Sequence, residues 1–347
     1  MHTANLDDGV YYVNMGFKLV TISSDSASLL SGRQIHRSAV PRCYRLSLPT
    51  FQSARDAMTR NAAALNALIG APGLSVMPGC YDAAGARLVA DAGFKIGFVS
   101  GSSVAGARLA RPDIDVLSFL EMVDAVDMCS TAAPEVLWMA DGDTGYGNEI
   151  NVQRTVRAIA KAGACAVLIE DKAYPRPLGH QGGKAVVGRA AAKRRCAAAA
   201  EACRDAGILL LARTDAISSL GRSEALARIS DFAEAGADMV YLDSPATLDD
   251  IRDSVRAAGG KPAISVHFQA ATHALPTHAE LEDAGVKLVI HPADLFAAGT
   301  QAMRLALTAL RDGTELPSLG SDADRSRTIR RAEFLADDAR WSSLGDK

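Results

Sequence analysis

Eight short apolar runs, separated by alanine-rich segments of helical periodicity, constrain the fold of this chain more than any other feature. Each run has five or six residues and is hydrophobic at nearly every position, which is typical of a strand covered on both faces. Several of the intervening predicted helices end in Ala-Gly, and glycine suits the position that follows a helix. The runs cover residues 74–79, 96–100, 136–141, 165–170, 208–213, 239–243, 262–266 and 287–291.

This alternation predicts an α/β protein with a (β/α)₈, or TIM-barrel, domain over residues 51–315. A doubly wound open sheet is the alternative, and it is disfavoured because no Gly-x-Gly-x-x-Gly phrase follows the first strand. Residues 1–50 are expected to form a poorly ordered or irregular extension, since they show no sustained period and are partly serine-rich. Residues 316–347 are expected to hold one amphipathic helix that packs on the barrel or on a partner subunit.

Composition excludes several classes of protein. The formal net charge of -3 offers no basic face for nucleic acid, and no apolar run approaches the ~20 residues that span a bilayer. The six cysteines are scattered without Cys-x-x-Cys spacing, which favours reduced thiols over disulfides or a zinc site. We therefore expect a cytoplasmic protein that binds neither nucleic acid nor membranes.

Polar side chains stand at the ends of six of the eight runs. Catalytic groups of a TIM barrel lie at the C-terminal ends of its strands, so these residues are expected to converge on one face. A solvated strand end is the alternative for any one of them. The residues are Ser100, Asp141, Glu170, Arg213, Asp243 and His291, with His267 directly after the seventh run.

The phrase "ADGDTGYGN" carries two of these carboxylates, Asp141 and Asp143, separated by one glycine. Together with Glu170 from the next run they form an oxygen-only set of hard ligands, which suits Mg²⁺ or Mn²⁺. The alternative is an aspartate that caps a glycine-rich turn.

Two further strand ends favour an anionic ligand. The guanidinium of Arg213 is expected either to pair internally with Asp215 or Asp243 or to bind a substrate carboxylate. The phrase "SGSS" at 100–103 offers backbone N–H groups that suit an anion, although a plain polar turn is the alternative.

These motifs together resemble the isocitrate lyase/phosphoenolpyruvate mutase superfamily. The phrases "PGCYDAAGARLVADAGF", "VSGSS", "ARPD", "ADGDTGYGN", "IEDK", "GHQGGK", "ARTDA" and "EAGADMVYLD" occur in the order found in its short, bacterial-type members. The resemblance covers roughly residues 55–315. Its motif set is specific for the superfamily and weakly informative about the substrate.

The resemblance implies a barrel whose last helix is exchanged between subunits, giving dimers and often tetramers. It also implies a small dicarboxylate substrate and a Mg²⁺ ion that stabilises a pyruvate-type enolate, with Arg213 and Asp243 as catalytic residues. The implied metal residues are Asp141, which binds directly, and Asp143, Glu170 and Asp113, which bind through water. The implied substrate-binding residues are Ser100, Gly101, Ser102, Arg213, Gly179, His180 and His267.

The segment from Glu170 to Lys184 resembles the gating loop of the superfamily. Its carbon–carbon lyases carry an acid/base cysteine there, and this chain has Leu178, which cannot transfer a proton. The following Gly179 and His180 are retained. Asp243 stands where the lyases carry glutamate, and Val266 stands where they carry asparagine.

Without the cysteine, decarboxylation of an oxaloacetate-like 2-oxo acid is the leading hypothesis, with solvent or His180 protonating the enolate. A retro-aldol lyase of the methylisocitrate or dimethylmalate type ranks second, and it needs Asp243 or Tyr81 to take the 2-hydroxyl proton. A mutase or hydrolase acting on a C–P bond ranks third. A catalytically inert metal-binding barrel is the alternative from another class.

Overall fold

A computed structural model describes residues 61–177, 184–268, 275–317 and 320–343, and the backbone of residues 51–60. The predicted N-terminal extension, residues 1–50, lies outside the described part of the chain.

Eight parallel strands form a closed barrel in sequential order, and the last strand pairs with the first. The predicted (β/α)₈ fold is therefore confirmed, and the open-sheet alternative is wrong. The strands are β1 (Ser75–Cys80), β2 (Ile96–Val99), β3 (Leu137–Asp141), β4 (Ala166–Glu170), β5 (Leu209–Thr214), β6 (Met239–Leu242), β7 (Ala263–Val266) and β8 (Val286–His291).

Helices follow the strands and form the outer layer. Several begin at a side-chain cap, as where Ser118 and Glu121 form a capping box. The helices are α1 (Phe51–Gly70), α2 (Ala83–Asp91), α3 (Gly101–Leu109), α4 (Phe119–Ala132), α5 (Glu149–Lys161), α6 (Arg189–Ala206), α7 (Ile217–Leu220), α8 (Arg222–Glu234), α9 (Leu248–Ala257), α10 (His278–Asp283), α11 (Asp294–Asp312), α12 (Asp322–Thr328) and α13 (Arg331–Ser342).

Alternation along the strands decides which side chains face the barrel axis. One apolar cluster inside the barrel contains Met139, Leu168 and Leu211, whereas their strand neighbours pack in a second cluster against the helices. Side chains two residues apart lie on the same face of a strand. The C-terminal continuation of the inward rows is therefore Asp141, Glu170 and Arg213.

The N-terminal mouth of the barrel is closed by α1. Its side chains Ala62, Leu65 and Ile69 are buried and join the apolar cluster of the barrel interior. This plug leaves the opposite mouth, at the C-terminal strand ends, for polar side chains.

The C-terminal part differs in detail from the prediction. The described residues between 316 and 343 contain two helices, α12 and α13, where one was predicted for 316–347, and Arg330 between them has a left-handed φ of 50°. The preceding α11 leaves large apolar side chains exposed, namely Met303, Leu305, Leu307 and Leu310. Exchange of a helix with a partner subunit stays a prediction. None of the helices in the described part is both long and apolar enough to cross a membrane.

Candidate active site

The end of β2 and the start of α3 form one wall of the polar mouth. Ser100 caps α3, and its Oγ lies 3.1 Å from Ser102 Oγ. The Gly101 N–H donates to Asp141 Oδ2 at 3.3 Å, and a Cβ added at Gly101 would stand 3.0 Å from that oxygen. A side chain at Gly101 would therefore press on this carboxylate and require it to shift by a few tenths of an ångström.

The two aspartates of "ADGDTGYGN" lie side by side. The Asp143 N–H donates to Asp141 Oδ1 at 3.1 Å, and the Tyr146 hydroxyl donates to Asp143 Oδ2 at 2.7 Å. Burial and the neighbouring Asp113 raise the pKa of Asp141, while burial, Asp141 and Glu170 raise the pKa of Asp143 well above its usual range. These carboxylates are thus close enough to repel one another.

Glu170 follows at the end of β4 and is buried between two cations. Its Oε1 lies 2.8 Å from Lys172 Nζ, and its Oε2 lies 3.3 Å from Arg213 Nε. Oε1 has no well-aligned hydrogen bond from the described residues despite that ion pair. Burial raises the pKa of Glu170, although Arg213 and Lys172 oppose the rise.

Arg213 is the hub of the site. It makes a bidentate pair with Asp215, with Nε–Oδ2 at 2.8 Å and Nη2–Oδ1 at 2.6 Å, and Nη2 also lies 3.0 Å from Asp243 Oδ1. With Glu170, three carboxylates surround this one guanidinium. The sequence left open whether Arg213 pairs internally with Asp215 or Asp243, and in the structure it pairs with both. Nη1 donates no hydrogen bond to the described residues, which leaves two N–H groups for another acceptor.

Asp243 is held by donors on both of its oxygens. Tyr241 Oη donates to Oδ1 at 2.8 Å, and Ser244 Oγ donates to Oδ2 at 2.7 Å. Lys184 Nζ lies 2.5 Å from Asp243 Oδ2 and 2.8 Å from Asp215 Oδ1. Burial works to raise the pKa of Asp243, but Arg213 and Lys184 outweigh it and hold the pKa far below the usual range.

Counting charges tests whether the site fits a divalent cation. Five carboxylates of the cluster face three cations, so two negative charges are uncompensated. The surplus lies at Asp141 and Asp143, which form no ion pair with any described residue. The carboxylates are Asp141, Asp143, Glu170, Asp215 and Asp243, and the cations are Lys172, Lys184 and Arg213.

Hard oxygen ligands and a surplus of two negative charges fit Mg²⁺. In the described part of the chain, no three Asp, Glu, His or Cys side chains are arranged to hold an ion by themselves. This arrangement agrees with an ion that keeps several waters and takes only one or two carboxylates directly, as Mg²⁺ usually does.

Two predicted residues lie apart from the Arg213 network. Asp113 is exposed, and it acts on Asp141 and Asp143 through its charge without a direct hydrogen bond. The ring of Tyr81 packs edge-on against Phe296 of α11 at 5.5 Å, and burial raises its pKa. No hydrogen bond links Tyr81 to the carboxylates of the described site.

His267 lies in a different part of the same mouth. Its buried ring is 5.9 Å from that of His291 and 6.4 Å from that of His278, and burial with these neighbours lowers its pKa to about 4. His267 and Asp243 both line a cavity of about 440 Å³ between the ends of β6 and β7. The structure thus places His267 beside a cavity that reaches Asp243, without a contact to Arg213.

Three predicted loop residues, Leu178, Gly179 and His180, lie outside the described residues, so their roles stay predictions. Asp171, which the sequence placed beside Glu170 at the strand end, faces the helix layer. It accepts from Thr214 Oγ1 at 2.7 Å and from Arg228 Nη1 at 3.0 Å. The signal was present in the sequence, since Asp171 continues the outward row of Ile169.

Sequence reasoning missed three members of the site: Lys172, Lys184 and Tyr146. Lys172 stands two residues after the predicted site residue Glu170, so strand-end proximity could have identified it. Lys184 has no such signal, because its partner Asp243 is 59 residues away in the chain.

Comparisons with known proteins identify relatives of this chain. Residues 65–311 match the family described as phosphoenolpyruvate phosphomutase. The chain is 32% identical over 336 residues to the chloroplastic carboxyvinyl-carboxyphosphonate phosphorylmutase of Arabidopsis thaliana, an alignment that covers 95% of this chain and 94% of that protein.

Two more relatives act on, or were solved with, oxaloacetate-like molecules according to their names. The chain is 35% identical over 241 residues to the oxaloacetate decarboxylase of Paraburkholderia xenovorans (strain LB400), covering 70% of this chain and 77% of that protein. The solved structure of an oxaloacetate acetylhydrolase with the inhibitor 3,3-difluorooxalacetate has a TM-score of 0.75 at 28% identity, covering 81% of this chain and 97% of that one.

Proposed function

The chain belongs to the phosphoenolpyruvate phosphomutase family, within the isocitrate lyase/phosphoenolpyruvate mutase superfamily, and from that membership we propose that it is a Mg²⁺-dependent decarboxylase of an oxaloacetate-like 2-oxo acid. Support comes from the surplus negative charge at Asp141 and Asp143, which suits the ion, and from the cations beside it, which suit an anionic substrate.

The ion pairs and hydrogen bonds of Asp243 are the observation that favours decarboxylation over retro-aldol cleavage. A retro-aldol cleavage needs a base that takes the proton of a 2-hydroxyl group, and Asp243 was the carboxylate expected to do so. Arg213, Lys184, Tyr241 and Ser244 all bind it as an anion, which makes it a weak base. Leu178 at the position of the usual cysteine removes the corresponding acid. Loss of CO₂ from a 2-oxo acid requires neither group.

With Mg²⁺ bound near Asp141, the C2 oxygen of the substrate would be polarised and the enolate left after cleavage would be stabilised. The chain itself supplies the binding groups. The Ser102 N–H at the start of α3 donates no hydrogen bond to the described residues and is available to a substrate carboxylate. Arg213 Nη1, which donates no hydrogen bond to the described residues, is a second group that suits the substrate, and Asp215 holds the guanidinium plane in place.

A C–P bond reaction is the second candidate, because the phosphorylmutase relative aligns with 95% of this chain and because Lys172 completes the "EDK" phrase shared with the mutases. In that reaction, phosphonopyruvate would be the substrate in place of oxaloacetate. The same cations would suit the additional negative charge of phosphonopyruvate. Binding therefore does not separate the two candidates, and turnover has to be measured.

The test is a substrate panel in the presence of Mg²⁺. Oxaloacetate, 2,3-dimethylmalate, 2-methylisocitrate and phosphonopyruvate are incubated with the protein, and pyruvate is measured through lactate dehydrogenase. We expect pyruvate from oxaloacetate alone, above the spontaneous rate, with activity falling by about 10³-fold or more in Asp141→Ala.

Asp205→Ala, which removes an exposed carboxylate on α6, is the matched control and should retain full activity. Pyruvate from dimethylmalate or methylisocitrate would contradict the decarboxylase assignment. Turnover of phosphonopyruvate would favour the second candidate, whether hydrolysis gives pyruvate directly or isomerisation gives phosphoenolpyruvate, which added pyruvate kinase and ADP convert to pyruvate. Bound Mg²⁺ without turnover of any substrate would favour an inert barrel.

A further inference from the structure

A short antiparallel stem projects from the end of β4, and the proposed chemistry does not account for it. Lys172 and Val186 are bridge partners, the Ala173 N–H donates to the Ala185 carbonyl at 2.9 Å, and the Val187 N–H donates to the Asp171 carbonyl at 3.0 Å. Two hydrogen bonds across a single bridge make a weak element, because an isolated two-stranded pair is only marginally stable in water. Side chains must therefore help to hold the stem in place.

Each strand of the stem carries one lysine that points into the carboxylate cluster. Lys172 on the first strand lies 2.8 Å from Glu170 Oε1. Lys184, at the start of the second strand, reaches Asp215 Oδ1 at 2.8 Å and Asp243 Oδ2 at 2.5 Å. The first lysine contacts its own strand end, whereas Lys184 spans to the ends of β5 and β6.

The partners of Lys184 are also partners of Arg213. Asp215 and Asp243 each lie between the two cations, so the guanidinium and the ammonium group share their negative charge. Without Lys184, Arg213 and Lys172 would face Glu170, Asp215 and Asp243. The potential around Arg213 would then be less positive by one charge, which disfavours an anionic ligand.

We propose that Lys184 is a positioning residue that fastens the stem to the Arg213 network and balances the charge of Asp215 and Asp243, so that the N–H groups around Arg213 can bind an anionic substrate. The part concerning substrate rests on the proposed function, whereas the fastening of the stem does not. Lys184 is not a catalytic residue in this proposal, because it acts through Asp215, Asp243 and Arg213.

Replacing Lys184 should not unfold the protein, since both of its carboxylate partners keep other donors. Asp215 retains its bidentate pair with Arg213. Asp243 retains Arg213, Tyr241 and Ser244. The Lys184 side chain is itself about one third exposed, at 32%, so Lys184→Met leaves no buried cavity. A change in exchange or binding in Lys184→Met would therefore report a positioning defect and not loss of the fold.

The chain offers a matched control in Lys193 on α6. It also pairs with two carboxylates, Asp231 at 3.2 Å and Glu234 at 2.8 Å, but it lies on the outer surface. Lys193→Met therefore removes the same kind of double ion pair away from the stem. Lys184→Arg tests rescue, because it restores the positive charge on a side chain of similar reach.

The experiment measures three quantities on wild type, Lys184→Met, Lys184→Arg and Lys193→Met. Amide hydrogen exchange at Ala173 and Val187 reports on the stem, and we expect about tenfold faster exchange in Lys184→Met only. Calorimetric binding of oxalate with Mg²⁺ should weaken about tenfold in Lys184→Met, and Lys184→Arg should recover most of that loss. With oxaloacetate, KM should rise about tenfold while kcat changes by less than about threefold.

Unchanged exchange together with unchanged oxalate affinity in Lys184→Met would overturn the proposal. A large fall in kcat at constant KM would also overturn it, because that result assigns Lys184 to the chemistry. If the wild type neither binds oxalate nor turns over any substrate, the proposed function fails. The exchange rates at Ala173 and Val187 would still decide whether Lys184 fastens the stem.

Discussion

The two halves of the barrel mouth have opposite electrostatic character. The ends of β3 to β6 and the adjoining stem carry five carboxylates and three cations, and three of these carboxylates form ion pairs with Arg213. The ends of β7, β8 and β1 carry imidazole and phenyl rings, with His267 and His291 in edge contact and Tyr81 against Phe296. The ion pairs linked through Arg213 therefore all belong to one half of the mouth.

The difference indicates a division of roles. The charged half has surplus negative charge for a cation and spare N–H groups for an anion, so it is suited to metal and substrate. Burial in the ring-lined half keeps the pKa of His267 low, at about 4. At neutral pH, His267 therefore lines the cavity beside Asp243 without adding charge to it.

Arg213→Met would break the charged half and should have the largest effect. Glu170, Asp215 and Asp243 would lose their shared cation while buried, and leaving buried charges unpaired costs about 3–5 kcal/mol in the free energy of unfolding. Urea denaturation at pH 7 measures this loss.

The control is Arg189→Met on α6, where an exposed arginine pairs with Asp231 at 2.5 Å. The loss of stability in this variant should be much smaller than in Arg213→Met, because surface ion pairs are screened by solvent. Equal losses for the two arginines would show that the charged half has no special dependence on Arg213.

His267 tests the other half through pH. Its folded pKa of about 4 lies below the ordinary value of 6.5, so protonation favours the unfolded chain. The wild type should keep its stability above pH 6.5 and lose about 2–3 kcal/mol as the pH falls from 6.5 to 4. His267→Gln should lack this part of the loss, which denaturation of both proteins at pH 7, 5.5 and 4.5 would measure.

His278→Gln, which keeps the buried imidazole of His267, should retain most of the acid-dependent loss. If His267→Gln and wild type lose stability in parallel between pH 6.5 and 4, the neutral character of this half does not depend on His267.

The substitution Asp143→Asn tests a single carboxylate of the charged half and should change the stability least among these variants. Asp143 is a carboxylate without an ion pair in the described structure, so in EDTA the variant should be more stable than wild type by about 1 kcal/mol. Mg²⁺ should raise the Tm of wild type but not of the variant. An equal rise in Tm for both proteins would remove Asp143 from the metal site.

Much of the fold followed from local patterns. All eight strands lie within one residue of their predicted starts and ends, because each buried run and its Ala-Gly boundary are properties of adjacent residues. The inward positions of Asp141, Glu170 and Arg213 follow from the same alternation. The C-terminal segment was harder to predict, because the two helices are separated at Arg330 by a left-handed backbone conformation that an arginine in the sequence does not predict.

By itself, the sequence determined the barrel, the carboxylates at its C-terminal mouth and the leucine at the position of the usual loop cysteine. Only the tertiary structure decided which charges pair: Asp171 with Arg228, Arg213 with three carboxylates, and Lys184 with Asp215 and Asp243. The physical reason is distance along the chain. Strand patterns arise between neighbouring residues, whereas an ion pair depends on where side chains from separate strands meet in space.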